Sequence, residues 1–273
     1  MHKLKIGIVG CGAIGSSLAK VIVRDLFKKT KLVSLYDVDT LKACVLSKKL
    51  VKSTKLCAPS LKALISKSGL VIEAASAKSS WDIAQKTLLF RKNVMVMSVG
   101  GLVGNFDNLR KLAVKNNCRV YIPSGAISGI DALKAAKIGL IKRVVLTTTK
   151  HPLSFKGVKY VEEKRVKLDG LKKDLLLFSG KAKDAVRLFP QNINVAAVLS
   201  LAGIGVNKTQ VRIIASPKVT KNIHEIRIES VAGDIFSRTE NILHPANPKT
   251  SYLAVLSAVA TLKNILEPIK IGT

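Results

Sequence analysis

Hydrophobic and polar positions alternate in two different ways along this chain, and the change falls near residue 123. Leu4-Lys5-Ile6-Gly7-Ile8-Val9 reads as a buried strand, and Ala13 to Phe27 carries apolar residues at helical spacing (Ile14, Leu18, Val21, Ile22, Leu26). Leu32 to Tyr36 reads as a second strand. A helical stretch starts at Leu61 after Pro59-Ser60, with Ser60 as a plausible cap, and Leu70 to Ala74 is a strand again. Ser79 or Ser80 starts the next helix, which runs to about Lys92. Val94 to Ser98 is a strand ended by Gly100-Gly101, Asn105 to Asn116 is helical, and Arg119 to Ile122 is one more strand. Strands that are apolar throughout, alternating with helices, predict a parallel α/β sheet covered on both faces.

After Pro123 the strands lengthen and take on a period of two: Lys142 to Thr149, Thr209 to Ser216, Ile223 to Val231 and Asp234 to Ile242, with Ala232-Gly233-Asp234 as the turn between the last two. Two helical stretches intervene, about Ala182 to Phe189 and Val195 to Ala202. This pattern predicts a second, α+β domain on a mainly antiparallel sheet. A last helix, about Thr250 to Leu266, is expected to return to the first domain. The expected division is 1–122 with 245–273 against 123–244.

Composition narrows the class. The 273 residues suit about two domains, and 48% hydrophobic residues supply their cores. The longest apolar stretch, Val195 to Val206, is interrupted by Ser200, Gly203 and Gly205 and is too short to span a membrane. No signal-peptide pattern precedes the first strand, so the cytoplasm is the expected compartment. Cysteines at 11, 44, 57 and 118 form no C-x-x-C pair, which argues against a zinc or redox motif, and so few in so long a chain argue against a disulfide framework. No metal site is expected. Forty-six Lys and Arg against seventeen Asp and Glu give a net charge of +29. The lysines are scattered and aromatics are only 4%, so specific nucleic-acid binding is not expected. The field should attract an anionic substrate and a dinucleotide.

Gly10-Cys11-Gly12-Ala13-Ile14-Gly15 has the G-x-G-x-x-G spacing directly after a buried strand and at the start of an amphipathic helix, the context of a dinucleotide-binding Rossmann turn. Gly10 permits the tight turn, Gly12 lets a pyrophosphate approach, and Gly15 lets the helix pack on the sheet. The N–H groups of Ala13 and Ile14 at the helix start face phosphate. Asp37, at the end of the second strand, can accept both ribose hydroxyls of NAD; it favours NAD over NADP, although Lys42 nearby could admit a 2′-phosphate. Ala75 and Ser76, like Ser98-Val99-Gly100-Gly101, follow strands whose carboxyl ends should line the cofactor crevice, and their small size leaves room for ribose and nicotinamide. Cys11 is a small filler of the turn.

In the second half, Pro123-Ser124-Gly125-Ala126-Ile127-Ser128-Gly129 is either a hinge or a backbone contact to nicotinamide. Asn192 and Asn194 are both good caps, and one of them is free to bond an amide or carboxylate. His224 shares a face with Ile226 and Ile228 and so points inward, to a core or a cleft. A lone inward histidine is often an ordinary core residue. Of the four histidines, however, it is the best placed for chemistry near neutral pH. Lys249, before the last helix, sits where a lysine opposes the helix dipole, which suggests an anion there; Thr250 or Ser251 would cap that helix.

Taken together, several segments resemble the L-aspartate dehydrogenase family: Ile6 to Gly15, Glu73-Ala74-Ala75-Ser76, Pro123 to Ile127, Asp131-Ala132-Leu133, Phe189-Pro190 with Asn194 to Ala197, Asn222 with His224-Glu225-Ile226, and Asn247-Pro248-Lys249-Thr250-Ser251. The resemblance implies an NAD(P)-dependent enzyme that oxidatively deaminates L-aspartate and feeds NAD biosynthesis. It implies cofactor contacts at Ala126 and Asn194, an active-site His224, a dicarboxylic amino-acid substrate near Asn222, Lys249 and Thr250, and a homodimer built through the second domain. Lys150-His151-Pro152-Leu153 departs from the Lys-Pro-Pro run usual at that point in the family. Two rivals stay open on the residues: a related dehydrogenase acting on homoserine, a semialdehyde or dihydrodipicolinate, and a non-catalytic NADH-binding redox sensor.

Overall fold

In the computed structural model, Gly7 stands between two fully buried isoleucines of the first strand, Ile6 and Ile8, and its missing side chain admits Leu64 and Ser68 against the sheet. The structure describes residues 3–189, 194–245 and 247–272, the side chains of residues 247–249 excepted. Two units emerge, Met1–Pro123 with Ala258–Pro268, and Ser124–Ser257 with Ile269–Thr273.

The first unit runs β1 (Leu4–Val9), α1 (Ala13–Arg24), β2 (Thr30–Tyr36), α2 (Thr40–Val51), α3 (Leu61–Lys67), β3 (Leu70–Glu73), α4 (Ala77–Leu89), β4 (Asn93–Val96), α5 (Phe106–Lys115) and β5 (Val120–Tyr121). Its five strands form one parallel sheet in the order β2-β1-β3-β4-β5, so the chain reverses direction across the sheet at β1. Both faces are covered, which is why the strands read as continuous apolar runs. On one face Ile6, Ile8, Ile72 and Met95 pack with Leu18 and Ile22 of α1 and with Ala258 and Leu262. On the other, Val9 and Val71 meet Leu64, Ile65 and Ile83. Each such fully buried side chain contributes about 1.5–3 kcal/mol.

Local chemistry sets the helix ends. The Ser60 hydroxyl accepts the Ala63 N–H at 3.1 Å and caps α3, as its position predicted. α1 stops at Arg24 rather than near Phe27, because the N–H groups of Asp25 and Leu26 both turn back to the Val21 carbonyl and Phe27 is left exposed. α4 begins at Ala77, two residues before the expected start, with Ser76 at its cap position. α2 went unforeseen: its buried face is only Ala43, Leu46 and Ser47, and the lysines around them hide the period.

The second unit runs α6 (Ile130–Ala136), β6 (Ile141–Lys150), α7 (Lys159–Glu163), β7 (Leu175–Lys181), α8 (Ala182–Leu188), α9 (Asn194–Ala202), β8 (Gln210–Ala215), β9 (Asn222–Ser230), β10 (Gly233–Asn241), β11 (Leu243–His244) and β12 (Asn247–Ser251), with α10 (Tyr252–Leu266) shared between the units. The sheet order is β10-β9-β6-β8-β7; β6 and β8 are parallel and the other three ladders antiparallel. β7 was not expected. β11 and β12 pair as a short ribbon, which holds Thr250 in a strand and delays the last helix to Tyr252. Phe155, Tyr160, Phe178 and Phe189 form an aromatic cluster with ring centres 5.2–6.5 Å apart, three of its pairs edge-to-face and the Tyr160–Phe189 pair tilted.

The cysteine expectation is corrected at one place. Cys44 of α2 and Cys57 are joined in a disulfide, their Cα atoms 5.2 Å apart. Cys57 is held beside β2 by a bridge to Leu35, and that pairing brings it under α2. The link spans a sequence separation of 13, a loop for which the chain-entropy account gives about 3 kcal/mol. Cys44→Ser should therefore lower the thermal midpoint by several degrees under non-reducing conditions. If variant and wild type melt together, the two thiols are unpaired in solution.

Candidate functional site

Gly10 adopts φ +94° and packs against the Ala74 carbonyl, a contact no side chain could share. Gly15 is as tightly placed, over the Gly10 carbonyl, while a side chain at Gly12 would meet nothing within 4 Å. Gly12 is exposed, and α1 starts on it with no side-chain cap and no acid in its first turn. The first N–H groups of α1, those of Ala13 and Ile14 among them, thus open on unfilled space that a Cβ at Gly12 would enter. That cradle fits a pyrophosphate.

Asp37 borders the same turn. Its Oδ2 accepts the Cys11 N–H at 2.7 Å and its Oδ1 the Asp39 N–H at 3.0 Å. These bonds fix the carboxylate at the end of β2 and leave lone pairs for further donors. Lys42 pairs with Asp39 at 3.4 Å. Burial, aided by the Asp37 charge, pushes the Cys11 thiol up to about 12, so it stays protonated and inert.

Glu73 joins the ends of two neighbouring strands. It is wholly buried, with Oε1 accepting the Ala75 N–H at 2.8 Å and Oε2 the Ser98 N–H at 2.9 Å. Burial raises its pKa against the opposing pull of those N–H groups. Ala75 and Ser76 lie exposed beyond it, and the Ser76 hydroxyl meets that of Ser79 at 2.9 Å.

The second unit gathers buried polar side chains on one face of β6, β9 and β10. His224 is 3% exposed and its Nδ1 lies 3.0 Å from Thr148 Oγ1, its cross-strand partner on β6. On its other side stands Thr239 of β10, and two pairs further along, on the same face, Asn241 stands opposite Asn222. Thr239 Oγ1 and Asn241 Nδ2 both donate to the Ala126 carbonyl, at 3.1 and 2.9 Å. Lys150, the last residue of β6, is buried too. Burial lowers its pKa to about 8. Burial first, and the Lys150 charge second, push His224 down to about 3, so the imidazole is neutral at physiological pH.

The chain matches the aspartate dehydrogenase C-terminal domain model over residues 131–265 and the NAD-binding domain model of homoserine dehydrogenase over residues 10–123. An L-aspartate dehydrogenase of Methanococcoides burtonii is 43% identical, covering 99% of this chain and 100% of that one. This chain belongs to the L-aspartate dehydrogenase family. A second relative of that name, from Nitrosopumilus maritimus, is 39% identical over 98% of this chain and 99% of its own. The solved aspartate dehydrogenase of Thermotoga maritima superposes with a TM-score of 0.74 at 27% identity, covering 99% of this chain and all of that one. A hyperthermophilic archaeal homoserine dehydrogenase in complex with NADPH, at TM-score 0.56 and 15% identity over 96% and 98% of the two chains, shares the fold.

Within this L-aspartate dehydrogenase family member the predicted site residues fall into groups. Gly10, Gly12, Ala13, Ile14, Gly15 and Asp37 surround one cradle, with Ala75 and Ser76 at the next strand end. Ala126, Asn222 and His224 are brought together through Thr239 and Asn241. Asn194 is exposed at the start of α9, and Thr250 is half-buried on β12. Asn192 and the side chain of Lys249 lie outside the described residues. The backbone of Lys249 corrects one expectation: it runs in β12, three residues before α10, so no first-turn lysine opposes that helix dipole.

Thr148, Lys150, Thr239, Asn241 and Glu73 were missed as site residues. The signal for Lys150 was present: with period two it shares a face with Val144, Leu146 and Thr148, all buried.

The lowered His224 pKa has a consequence for stability. Below about 6.5 the unfolded chain binds a proton that the native imidazole does not, so stability is lost as pH falls from there toward 3. One proton amounts to roughly 1.4 kcal/mol per pH unit. Urea titrations should show His224→Gln losing about 2 kcal/mol less than wild type between pH 7 and pH 5. Equal losses would show that the imidazole protonates freely in the native state.

Proposed function

We propose that this chain oxidises L-aspartate to iminoaspartate with a nicotinamide dinucleotide, and that the imine then takes up water to give oxaloacetate and ammonia. The observation that carries the reading is the buried, neutral imidazole of His224, tethered through Nδ1, in a chain that matches L-aspartate dehydrogenases from end to end. The Gly10–Gly15 turn, the first N–H groups of α1 and Asp37 would hold the dinucleotide. It supplies the acceptor for the hydride leaving the substrate α-carbon. The Asp37 carboxylate favours a free ribose 2′-hydroxyl and repels a 2′-phosphate, while Lys42, which could have answered that phosphate, is paired with Asp39. NAD is therefore the proposed preference.

His224 works as the base. With Nδ1–H donated to Thr148 Oγ1, its Nε2 lone pair faces away from that bond and can take the ammonium proton as the C–N bond becomes C=N. The same nitrogen then helps water add to the imine. Ala126, its carbonyl held by Thr239 and Asn241, and Asn194 are proposed as further cofactor contacts, and Thr250 as a substrate contact. That iminoaspartate made here feeds NAD synthesis rests on the family resemblance.

NADH absorbance followed with L-aspartate, D-aspartate, glutamate and homoserine tests the reading. L-Aspartate should be the best substrate, and His224→Ala should lower kcat by about two to four orders of magnitude with NADH affinity kept. Homoserine outrunning aspartate, or full turnover in the variant, overturns it.

We also propose a homodimer through the second unit. Ile138, Leu140 and Val231 are 92%, 64% and 62% exposed at one end of the sheet, where the Val231 N–H bonds the Leu140 carbonyl, and the edge strand β10 exposes Phe236. An apolar patch of this kind marks an association surface. Ile138→Glu with Phe236→Glu should convert a dimer to a monomer by light scattering; a monomeric wild type removes the proposal.

A further inference from the structure

We propose that Asn241 is a substrate-binding residue: its carboxamide oxygen accepts an N–H of the substrate amino group while His224 holds another. The inference rests on the aspartate reading above and deepens it, by assigning the amine contact to a residue that no sequence motif singled out.

The orientation of the carboxamide comes first. Asn241 Nδ2 donates to the Ala126 carbonyl at 2.9 Å, and the Asn222 carbonyl lies 3.5 Å from the same nitrogen. Turning the amide over would set its oxygen against both carbonyls. The nitrogen therefore stays on that side, and Oδ1 points away from it.

That oxygen is the open half of the group. Asn241 is 3% exposed, and its Oδ1 is buried with no hydrogen-bond partner. Among the described residues, only Ser200 Oγ shares that condition. Buried carbonyl oxygens are nearly always bonded, and water cannot serve one that it does not reach. The exception calls for a donor that arrives with a ligand.

The strand register says which donor. Thr239 stands opposite His224, and Asn241, two residues on, shares its face and lies diagonal to His224. Diagonal neighbours are about 7–8 Å apart, a gap that one atom bonded from both sides can bridge. His224 Nδ1 is engaged with Thr148 Oγ1, and the neutral ring presents Nε2 as an acceptor. Two acceptors on one face suit a single atom that carries two or more hydrogens. An ammonium has three and a hydroxyl has one. The pair therefore favours an amine over a hydroxyl at the reacting carbon. When His224 takes its proton, the bond to Oδ1 keeps the nitrogen in place as C–N becomes C=N.

The test reads L-aspartate against succinate, which has both carboxylates of aspartate and no amine, at saturating NAD. Asn241→Leu should raise the KM for L-aspartate by about 10- to 100-fold, the worth of a hydrogen bond to a charged group. The Ki of succinate should stay within about twofold. Asn241→Asp loses the same bond to Ala126 but keeps an acceptor, so it should not raise the ratio of the two constants. A ratio unchanged in Asn241→Leu overturns the inference. An equal rise in both variants also overturns it, because the effect then belongs to the Ala126 bond. An unchanged ratio with weaker binding of NAD, but not of its 3-acetylpyridine analogue, which lacks the amide N–H, gives the oxygen to the cofactor instead. The aspartate reading is tested separately, by wild-type turnover. Should neither variant fold, a crystal structure of the wild type with NADH and L-aspartate, which cannot react together, decides: the amine nitrogen on Asn241 Oδ1 supports the assignment, and an amine bound elsewhere refutes it.

Discussion

A buried imidazole must find a partner, and in this protein the partner is Thr148, 3.0 Å from His224 Nδ1 across two antiparallel strands. Much of the second unit follows from that requirement. Leaving either atom unpaired costs about 1–3 kcal/mol, so the β6–β9 register is set by polar satisfaction as well as by the apolar alternation of Val144, Leu146, Ile226 and Ile228. A slip of one residue would turn Ile223 and Glu225 into the site and send His224 to the other face. The bond also fixes the ring, and it leaves one nitrogen to do chemistry. Thr239 and Asn241 extend the arrangement to the next strand, and through the Ala126 carbonyl they hold the loop that enters this unit. The site is therefore a property of three strands in register.

The first unit solves a similar problem with backbone donors. A parallel sheet opens its crevice at the carboxyl ends of its strands, where N–H groups run out of ladder partners. Two carboxylates answer them. Asp37 joins the end of β2 to the glycine turn through the Cys11 N–H, and Glu73 joins the ends of β3 and β4 through Ala75 and Ser98. The loops that would touch a cofactor are thus shaped before any ligand arrives. Of the three glycines of the turn, Gly12 alone would place a Cβ in open space.

What could be read from the residues divides along the same physical line. Elements whose apolar residues keep a clean period were legible: the parallel strands, α1 by its Leu18–Ile22 face, and β9 by its inward even positions. Glycine spacing is also local chemistry, so the cradle at Gly10–Gly15 and the acid at Asp37 were legible too. α2 was hidden because lysines surround its small buried face, and the Cys44–Cys57 pair with it, since only the fold of α2 over the Leu35–Cys57 bridge brings the sulfurs together. Glu73 stood inside a recognised segment, but its bond to Ser98 crosses to a strand 25 residues away. Lys150 entered the reading only as part of the segment that departs from the Lys-Pro-Pro run, although its period-two place beside Val144, Leu146 and Thr148 was a signal of burial.

The coupling between Lys150 and His224 carries the synthesis one step further. A base with a pKa near 3 is a weak one, and an enzyme built around it alone would be slow. The depression has two causes, burial and a neighbouring positive charge, and both depend on whether the site is filled. An anion brought near the ring would favour protonation. On the proposed aspartate reading, a substrate with two carboxylates would therefore raise the imidazole above the value it has in the empty protein, and the strength of the proposed base would depend on what the site holds.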